Sequence, residues 1–195
     1  MRFRLRVVLL FASMCLAHAS VAQNLLNNPD VTTDSAGWSG SASTATSLTF
    51  WDNTRGYPTP GSLAINANAP EEMNPSFSQC VNISAQNVDL VAWTQLRYAG
   101  GPDFTILVSY SAFSAPNCSS GYLQFRDASP SGTITNGWRE YRLMNDALPA
   151  ETQSVRVFLI LASTGNSTGI NVDHIAFGPA GTVVPSETLF VDGFE

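Results

Sequence analysis

The chain has 195 residues, with 15 Asp and Glu against 9 Arg and no Lys, and only 12% of its residues are charged. That length suits one domain with a short appendage and is ample for a sizeable core. Sparse charge and abundant Ser, Thr, Asn and Gly exclude a long coiled coil, an acidic disordered tail and a polybasic nucleic-acid binder.

The first predicted element is an export signal. Arg2, Arg4 and Arg6 form a positive start, Val7 to Ala17 is a short apolar run, and Ala19, Ser20 and Ala22 are small. This order predicts a secretory signal peptide over residues 1–22, cleaved after Ala22 or, second, after Ala19. The run is too short to span a membrane, which takes about 20 residues. Cys15 invites a lipoprotein reading, but Met14 before it is too bulky for that cleavage. Removal of residues 1–22 leaves 6 Arg against 15 acids, a formal charge of −9. Such a chain is repelled by a phosphate backbone and by an anionic membrane surface. Neutral or cationic partners stay open.

Strands follow throughout. Alternating or β-branched runs occupy Ser47 to Trp51, Ser62 to Asn66, Ser76 to Ile83, Val88 to Tyr98 and Phe104 to Phe113. Tyr122 to Phe125, Trp138 to Leu143, Val155 to Ala162 and Gly169 to Phe177 complete the series. Between them lie turn residues such as Pro58-Thr59-Pro60-Gly61, Gly100-Gly101-Pro102, Ala115-Pro116-Asn117 and Ser129-Pro130-Ser131-Gly132. Short strands with Gly and Pro punctuation predict an all-β sandwich or barrel, with antiparallel sheets buried on one face. Gly178-Pro179-Ala180-Gly181 reads as a linker. The expected organisation is a signal peptide over 1–22, a domain over 23–177, and a linker and tail over 178–195.

Cys80 and Cys118 remain after export, and an even count in an oxidising compartment predicts a disulfide between them. Neither a Cys-x-x-Cys spacing nor a nearby His supports a redox or metal pair. Three Asn-x-Ser/Thr sequons, at Asn82, Asn117 and Asn166, read as chance in a leader and composition of bacterial type.

The two ends of the domain carry a resemblance. Asn24-Leu25-Leu26-Asn27-Asn28-Pro29-Asp30-Val31, followed by Gly37-Trp38, resembles the opening strand of jelly-roll carbohydrate-binding modules of the galactose-binding-domain-like family. Ile170-Asn171-Val172-Asp173-His174-Ile175 is similar to the family's closing Val-Asp-Asp strand. The resemblance covers about the whole domain through short, degenerate motifs. It implies an antiparallel jelly-roll β-sandwich that binds glycans. It also implies a structural calcium between the opening and closing strands, with Asp173 as the one ligand carried over. Thr32 and Val31 replace the Glu and Phe of the opening motif, and His174 replaces the second Asp of the closing one. These departures remove charge from such a site; the alternative is an Asp173 that caps a turn or pairs with an Arg. The end, Leu189-Phe190-Val191-Asp192-Gly193-Phe194-Glu195, is similar to a C-terminal signature of assorted secreted bacterial proteins, which implies export or surface handling.

Catalytic candidates are thin. His174 is the one His beyond the leader, and strand geometry points Asp173 away from it, so no Ser/His/Asp system is expected. Glu71-Glu72 beside Pro70 reads as a solvated loop pair rather than a glycosidase pair. Asp89, Asp103, Asp127, Asp146 and Glu151 lie near turn signals and read as solvating acids. Sugar recognition needs aromatic faces and hydroxyl-fixing polar groups. Trp51, Arg55 and Tyr57 around one turn, and Arg97 and Tyr98 at the end of a long strand, are the candidate ligand-binding residues. Tyr122 and Trp138 are less clearly placed; Trp38 and Trp93 read as core. The expectation is that Trp51→Ala and Tyr57→Ala weaken glycan binding and leave the melting temperature nearly unchanged. The leading reading is an exported, non-catalytic glycan-binding module that requires no cofactor. The alternative is a structural or adhesive surface protein without a sugar ligand, and a small hydrolase or lyase comes third.

Overall fold

Alternation of apolar and polar residues gives each strand one face to bury, and the sandwich follows from burying two such faces against each other. The computed structural model describes residues 23–41, 47–68, 72–99, 104–130, 137–164 and 167–181. The predicted signal peptide, Glu71, Asp103, Asn166 and the tail from 182 onward lie outside the described residues.

Eleven strands lie among the described residues: β1 (Ser39–Ser41), β2 (Leu48–Asp52), β3 (Ser62–Ala67), β4 (Glu72–Met73), β5 (Ser76–Asn82), β6 (Asn87–Ala99), β7 (Phe104–Phe113), β8 (Tyr122–Pro130), β9 (Trp138–Ala147), β10 (Ser154–Thr164) and β11 (Thr168–Pro179). All pairings are antiparallel. One sheet runs β1-β5-β10-β7-β8, with the short β4 also on β10; the other runs β9-β6-β11-β3-β2. Strand β8 joins them, pairing with β7 up to Ala128 and with β9 through Ser129 and Pro130. The architecture is an antiparallel jelly-roll β-sandwich with one disulfide.

The core sits between the sheets. Leu63 and Ile65 of β3, Leu90 and Ala92 of β6, and Ile170, Val172, Ile175 and Phe177 of β11 face Phe77 of β5, Val108 and Tyr110 of β7, and Val157, Leu159 and Leu161 of β10. Burying such side chains, at about 25 cal/mol per Å² of apolar surface, is the main drive to fold. Tyr110 is fully buried, so its hydroxyl needs a partner. It donates to Asp146 and accepts from Gln124 Nε2 at 3.1 Å. Burial and the Asp146 carboxylate push its pKa up.

The disulfide ties Cys80 on β5 to Cys118, the last residue of a 3-10 turn at Pro116–Cys118. Asn82 and Asn117 bond to each other across this junction, Asn82 Nδ2 donating to Asn117 Oδ1 at 3.0 Å. Asp89 departs from the solvating role expected of it. It is buried, and its two oxygens accept Asn145 N at 2.6 Å and Gly181 N at 2.7 Å. A carboxylate near a turn can serve the backbone as readily as the solvent.

The opening segment also departs from expectation. Residues 24–31 form an irregular arm rather than a strand. The arm attaches to β11 by single bonds, Leu25 N to Phe177 O at 2.8 Å and Ile175 N to Pro29 O at 3.0 Å. Left-handed backbone at Asn28 and Val31 breaks any continuous ladder. Leu26, Val31 and Trp38 are nonetheless buried in the core, so the apolar pattern places the arm even though the pairing is lost.

Candidate functional site

On β6, Leu90, Ala92 and Leu96 turn inward, so Trp93, Gln95 and Arg97 face away from the core. Cross-strand pairing puts Trp138 beside Gln95 and Glu140 beside Trp93 on β9, and Asn171 beside Gln95 on β11. Asn66 of β3, and Leu48, Phe50 and Asp52 of β2, continue the same outer face. Trp93, expected in the core, is therefore a half-buried outer-face residue. Its apolar neighbours suggested burial, but alternation assigns it to the opposite side from them.

The loop between β2 and β3 folds over this face. Asp52 Oδ1 accepts both the N–H of Thr54, at 2.9 Å, and its hydroxyl, at 2.6 Å, which starts the turn. Gly61 closes it with φ +121°, and a Cβ there would come within 2.6 Å of the Thr32 backbone. Tyr57 is thereby laid on Trp93, ring centroids 4.6 Å apart and planes 17° from parallel. Trp138 lies 5.9 Å from Tyr57 at 40°. Three aromatic rings thus cluster at one end of the face.

At the other end a register shift between Gly169 and Ile170 brings Tyr98 opposite Gly169. A Cβ on Gly169 would lie 2.5 Å from Tyr98 Cε1 and 2.7 Å from Asn66 Oδ1. The missing side chain gives the Tyr98 ring its place over β11. Tyr98 is 40% exposed, and its hydroxyl donates to Asn68 Oδ1 at 3.3 Å.

Between these ends the polar groups are incompletely paired. Asn171 Nδ2 donates to Ser62 Oγ at 2.6 Å and to Asp52 Oδ2 at 3.1 Å. Hydrogen bonds from Thr54 and Asn171, with the charge of Arg97, outweigh burial and hold the Asp52 pKa below its usual value. Trp93 Nε1, Arg97 Nε and Nη1, Asn66 Oδ1 and Asn171 Oδ1 are buried with no hydrogen-bond partner among the described residues.

Of the residues predicted to bind ligand, the structure brings Tyr57, Arg97 and Tyr98 to this face. Arg55 is exposed on the same loop as Tyr57. Trp51 is set apart. It pairs with Leu63 on the inward side of β2, and its indole donates to the buried Val31 carbonyl at 2.7 Å. Alternation turns it away from the face that Phe50 and Asp52 line, although sequence proximity groups it with Arg55 and Tyr57. Trp138 and Gln95 join the face through pairing alone, a signal that period-2 register could have supplied.

Asp173 lies next to the aromatic cluster and is buried. Its Oδ2 accepts Tyr57 N at 2.6 Å and its Oδ1 accepts His174 N at 2.7 Å. Burial dominates these bonds and pushes its pKa up to about 7. Calcium takes six to eight oxygens. Around Asp173 the chain supplies N–H donors instead, and no three His, Cys, Asp or Glu gather for a metal among the described residues. Through these two bonds Asp173 clamps the backbone of the Tyr57 loop to the bulge of β11. His174 sits at a bulge with φ +48°, and its Nδ1 lies 3.1 Å from Asp30 Oδ1. Asp30, not Asp173, orients the ring. The pair opens on a pocket of about 260 Å³ lined also by Thr32, Tyr57, Pro58 and Thr59, with no Ser or Cys in the lining.

No helix among the described residues is long and apolar enough to cross a membrane. No protein-family model matches the chain, and no curated protein matches it in sequence. Solved structures do match in fold. A family 22 carbohydrate-binding module of Clostridium thermocellum Xyn10B superposes with a TM-score of 0.57 at 13% identity, over 80% of this chain and 94% of that one. The module TmCBM61, solved with β-1,4-galactotriose, gives 0.52 at 13% identity, over 80% and 99%. The enzymatically active domain of bacteriophage CBA120 tailspike protein 4 gives 0.59 at 14% identity over 80% of this chain, which spans only 21% of that one. The chain thus has the β-sandwich fold found in carbohydrate-binding modules.

Proposed function

We propose that this chain is an exported, non-catalytic glycan-binding domain whose ligand lies along the outer face of the β9-β6-β11-β3-β2 sheet. One observation carries the reading: aromatic rings and unpaired polar atoms share that face. Tyr57, Trp93 and Trp138 cluster at one end and Tyr98 lies at the other. Between them stand unpaired donors on Trp93 and Arg97 and unpaired acceptors on Asn66 and Asn171. An aromatic ring offers an apolar face to the C–H side of a sugar. A buried polar atom without a partner costs about 1–3 kcal/mol, which ligand hydroxyls can recover because each both donates and accepts.

Trp93 and Tyr98 are five positions apart on β6, roughly 16 Å at the usual strand rise. An extended polysaccharide fits that span better than a single sugar. The neighbours support the class: one is a module solved with β-1,4-galactotriose, and another is a xylan-binding domain of family 22. The expected final compartment is periplasm, cell surface or medium. Binding of this kind uses no covalent step.

The test is a glycan array on the purified domain, with Trp93→Ala as control and near-ultraviolet circular dichroism to certify the fold. Saturable binding, weakened at least tenfold by Trp93→Ala, is expected. A folded, disulfide-intact domain that binds no glycan would instead favour a structural or adhesive role.

A further inference from the structure

Arg97 stands on the outer face, one position before Tyr98 on β6, and its charge is poorly matched by the protein. Nη2 lies 3.8 Å from Asp52 Oδ2, beyond hydrogen-bond range. Nε and Nη1 have no hydrogen-bond partner among the described residues. Asp52 is already committed, accepting two bonds from Thr54 and one from Asn171. On its other side the guanidinium lies over the ring of Phe50, 5.5 Å from its central carbon. The side chain is 20% exposed, and Phe50, on an edge strand, is 37% exposed. Nε and Nη1 are themselves buried, so a ligand reaches them only when a covering side chain such as Phe50 moves.

Arginine is always charged and presents its donors as a planar fork. Half-buried without acceptors, such a fork is costly. The group that matches it best is a carboxylate, through two parallel charge-assisted bonds. A neutral sugar offers only hydroxyl oxygens, which make weaker bonds to the same donors. The other acids of this face do not compete. Glu140 is buried with Arg142 at 3.9 Å, and Asp173 is held by two backbone N–H groups. The overall negative charge acts from a distance, where salt screens it beyond about 8 Å at physiological ionic strength.

We propose that the ligand is an acidic polysaccharide and that Arg97 receives the carboxylate of a uronate residue. This rests on the glycan-binding reading above and narrows it to a substrate class. Asn66 Oδ1 and Asn171 Oδ1 accept from hydroxyls of the same chain, while the Tyr57–Trp93 pair takes a ring face.

The experiment compares matched polymers by isothermal titration calorimetry. Polygalacturonate and polymannuronate are each paired with the same polymer after carboxyl reduction, and a sulfated neutral glycan is added. The proteins are wild type, Arg97→Gln, Arg97→Lys and Trp93→Ala, each certified folded by near-ultraviolet circular dichroism. Wild type is expected to bind at least one polyuronate tenfold or more tightly than its reduced partner. Arg97→Gln should abolish that ratio, and Arg97→Lys, which keeps charge but loses the fork, should reduce it. Equal or better binding of the reduced polymer, lost in Trp93→Ala, overturns the uronate proposal and leaves the glycan reading standing. A preference for the sulfated glycan overturns the carboxylate assignment. Equal loss of both members of a pair in Arg97→Gln also overturns it. No binding to any polymer, or to any glycan on the array, overturns the glycan reading itself.

Discussion

The phenol ring of Tyr57 lies 4.6 Å from the indole of Trp93 and only 17° from parallel to it. The two residues come from a loop and a central strand, and each covers part of the other. Such a pair contributes about 0.5–1.5 kcal/mol beyond its buried area. Tyr57→Ala is therefore expected to lower the melting temperature by a few degrees as well as to weaken glycan binding about tenfold or more. Trp51→Phe should do the opposite. It removes the N–H that serves the buried Val31 carbonyl, at a cost of about 1–3 kcal/mol, and leaves binding within twofold. Thermal melts and titrations on both variants check the split. Loss of binding in Trp51→Phe at unchanged stability would return Trp51 to the binding site.

Gly169 gives a way to move one aromatic without deleting it. Its backbone is not in the left-handed region, so alanine is allowed there conformationally, but the added Cβ would meet Tyr98 Cε1 at 2.5 Å. The half-exposed Tyr98 ring can swing into solvent, so the stability cost should stay below about 1.5 kcal/mol, in the range of small overpacking changes. Binding of a long glycan should fall severalfold, and Tyr98→Ala should match it. An affinity unchanged in both would remove Tyr98 from the platform.

Asp173 predicts a pH dependence whose sign is fixed by its burial. Its folded pKa, about 7, lies above the unfolded value of 3.8. The folded state therefore binds the proton more tightly between those values. Its contribution to stability is full below about pH 4 and is lost as pH rises towards 7. Melts between pH 4 and 8 in chelator should show this decline, and Asp173→Asn should flatten it. A calcium-dependent rise in melting temperature at pH 7, absent in Asp173→Asn, would show that the carboxylate holds a cation after all.

The disulfide lies on the other sheet from the aromatic face. Its separation of 38 residues corresponds to about 3–4 kcal/mol in the chain-entropy account. Cys80→Ala with Cys118→Ala should lower stability by that order, measured by urea unfolding, and leave glycan affinity unchanged in the fraction that stays folded. A comparable loss of affinity would mean that the two sheets are coupled.

Much was legible in the sequence because it depends on local pattern. Alternation and turn residues marked nine of the eleven strands, all but the short β1 and β4, and the two cysteines beyond residue 22 had one pairing available. The apolar ends of the domain, Leu26 and Trp38 at one side and Ile170 to Phe177 at the other, identified the sandwich through their similarity to known modules. What the sequence left open is which face each large side chain serves. Local pattern assigns Trp51 to the ligand and Trp93 to the core, yet register with Leu63 turns the first inward and register with Glu140 turns the second outward. A shift of one position reverses every side chain on a strand, so such assignments belong to pairing between distant segments. The same holds for Asp173 and Tyr57, 116 positions apart and joined by one hydrogen bond. The chain alone determined that a β-sandwich forms, because periodicity is a property of neighbours. Only the tertiary structure decided which side chains share the aromatic outer face, because that face is assembled from five strands and a loop that meet through long-range pairing.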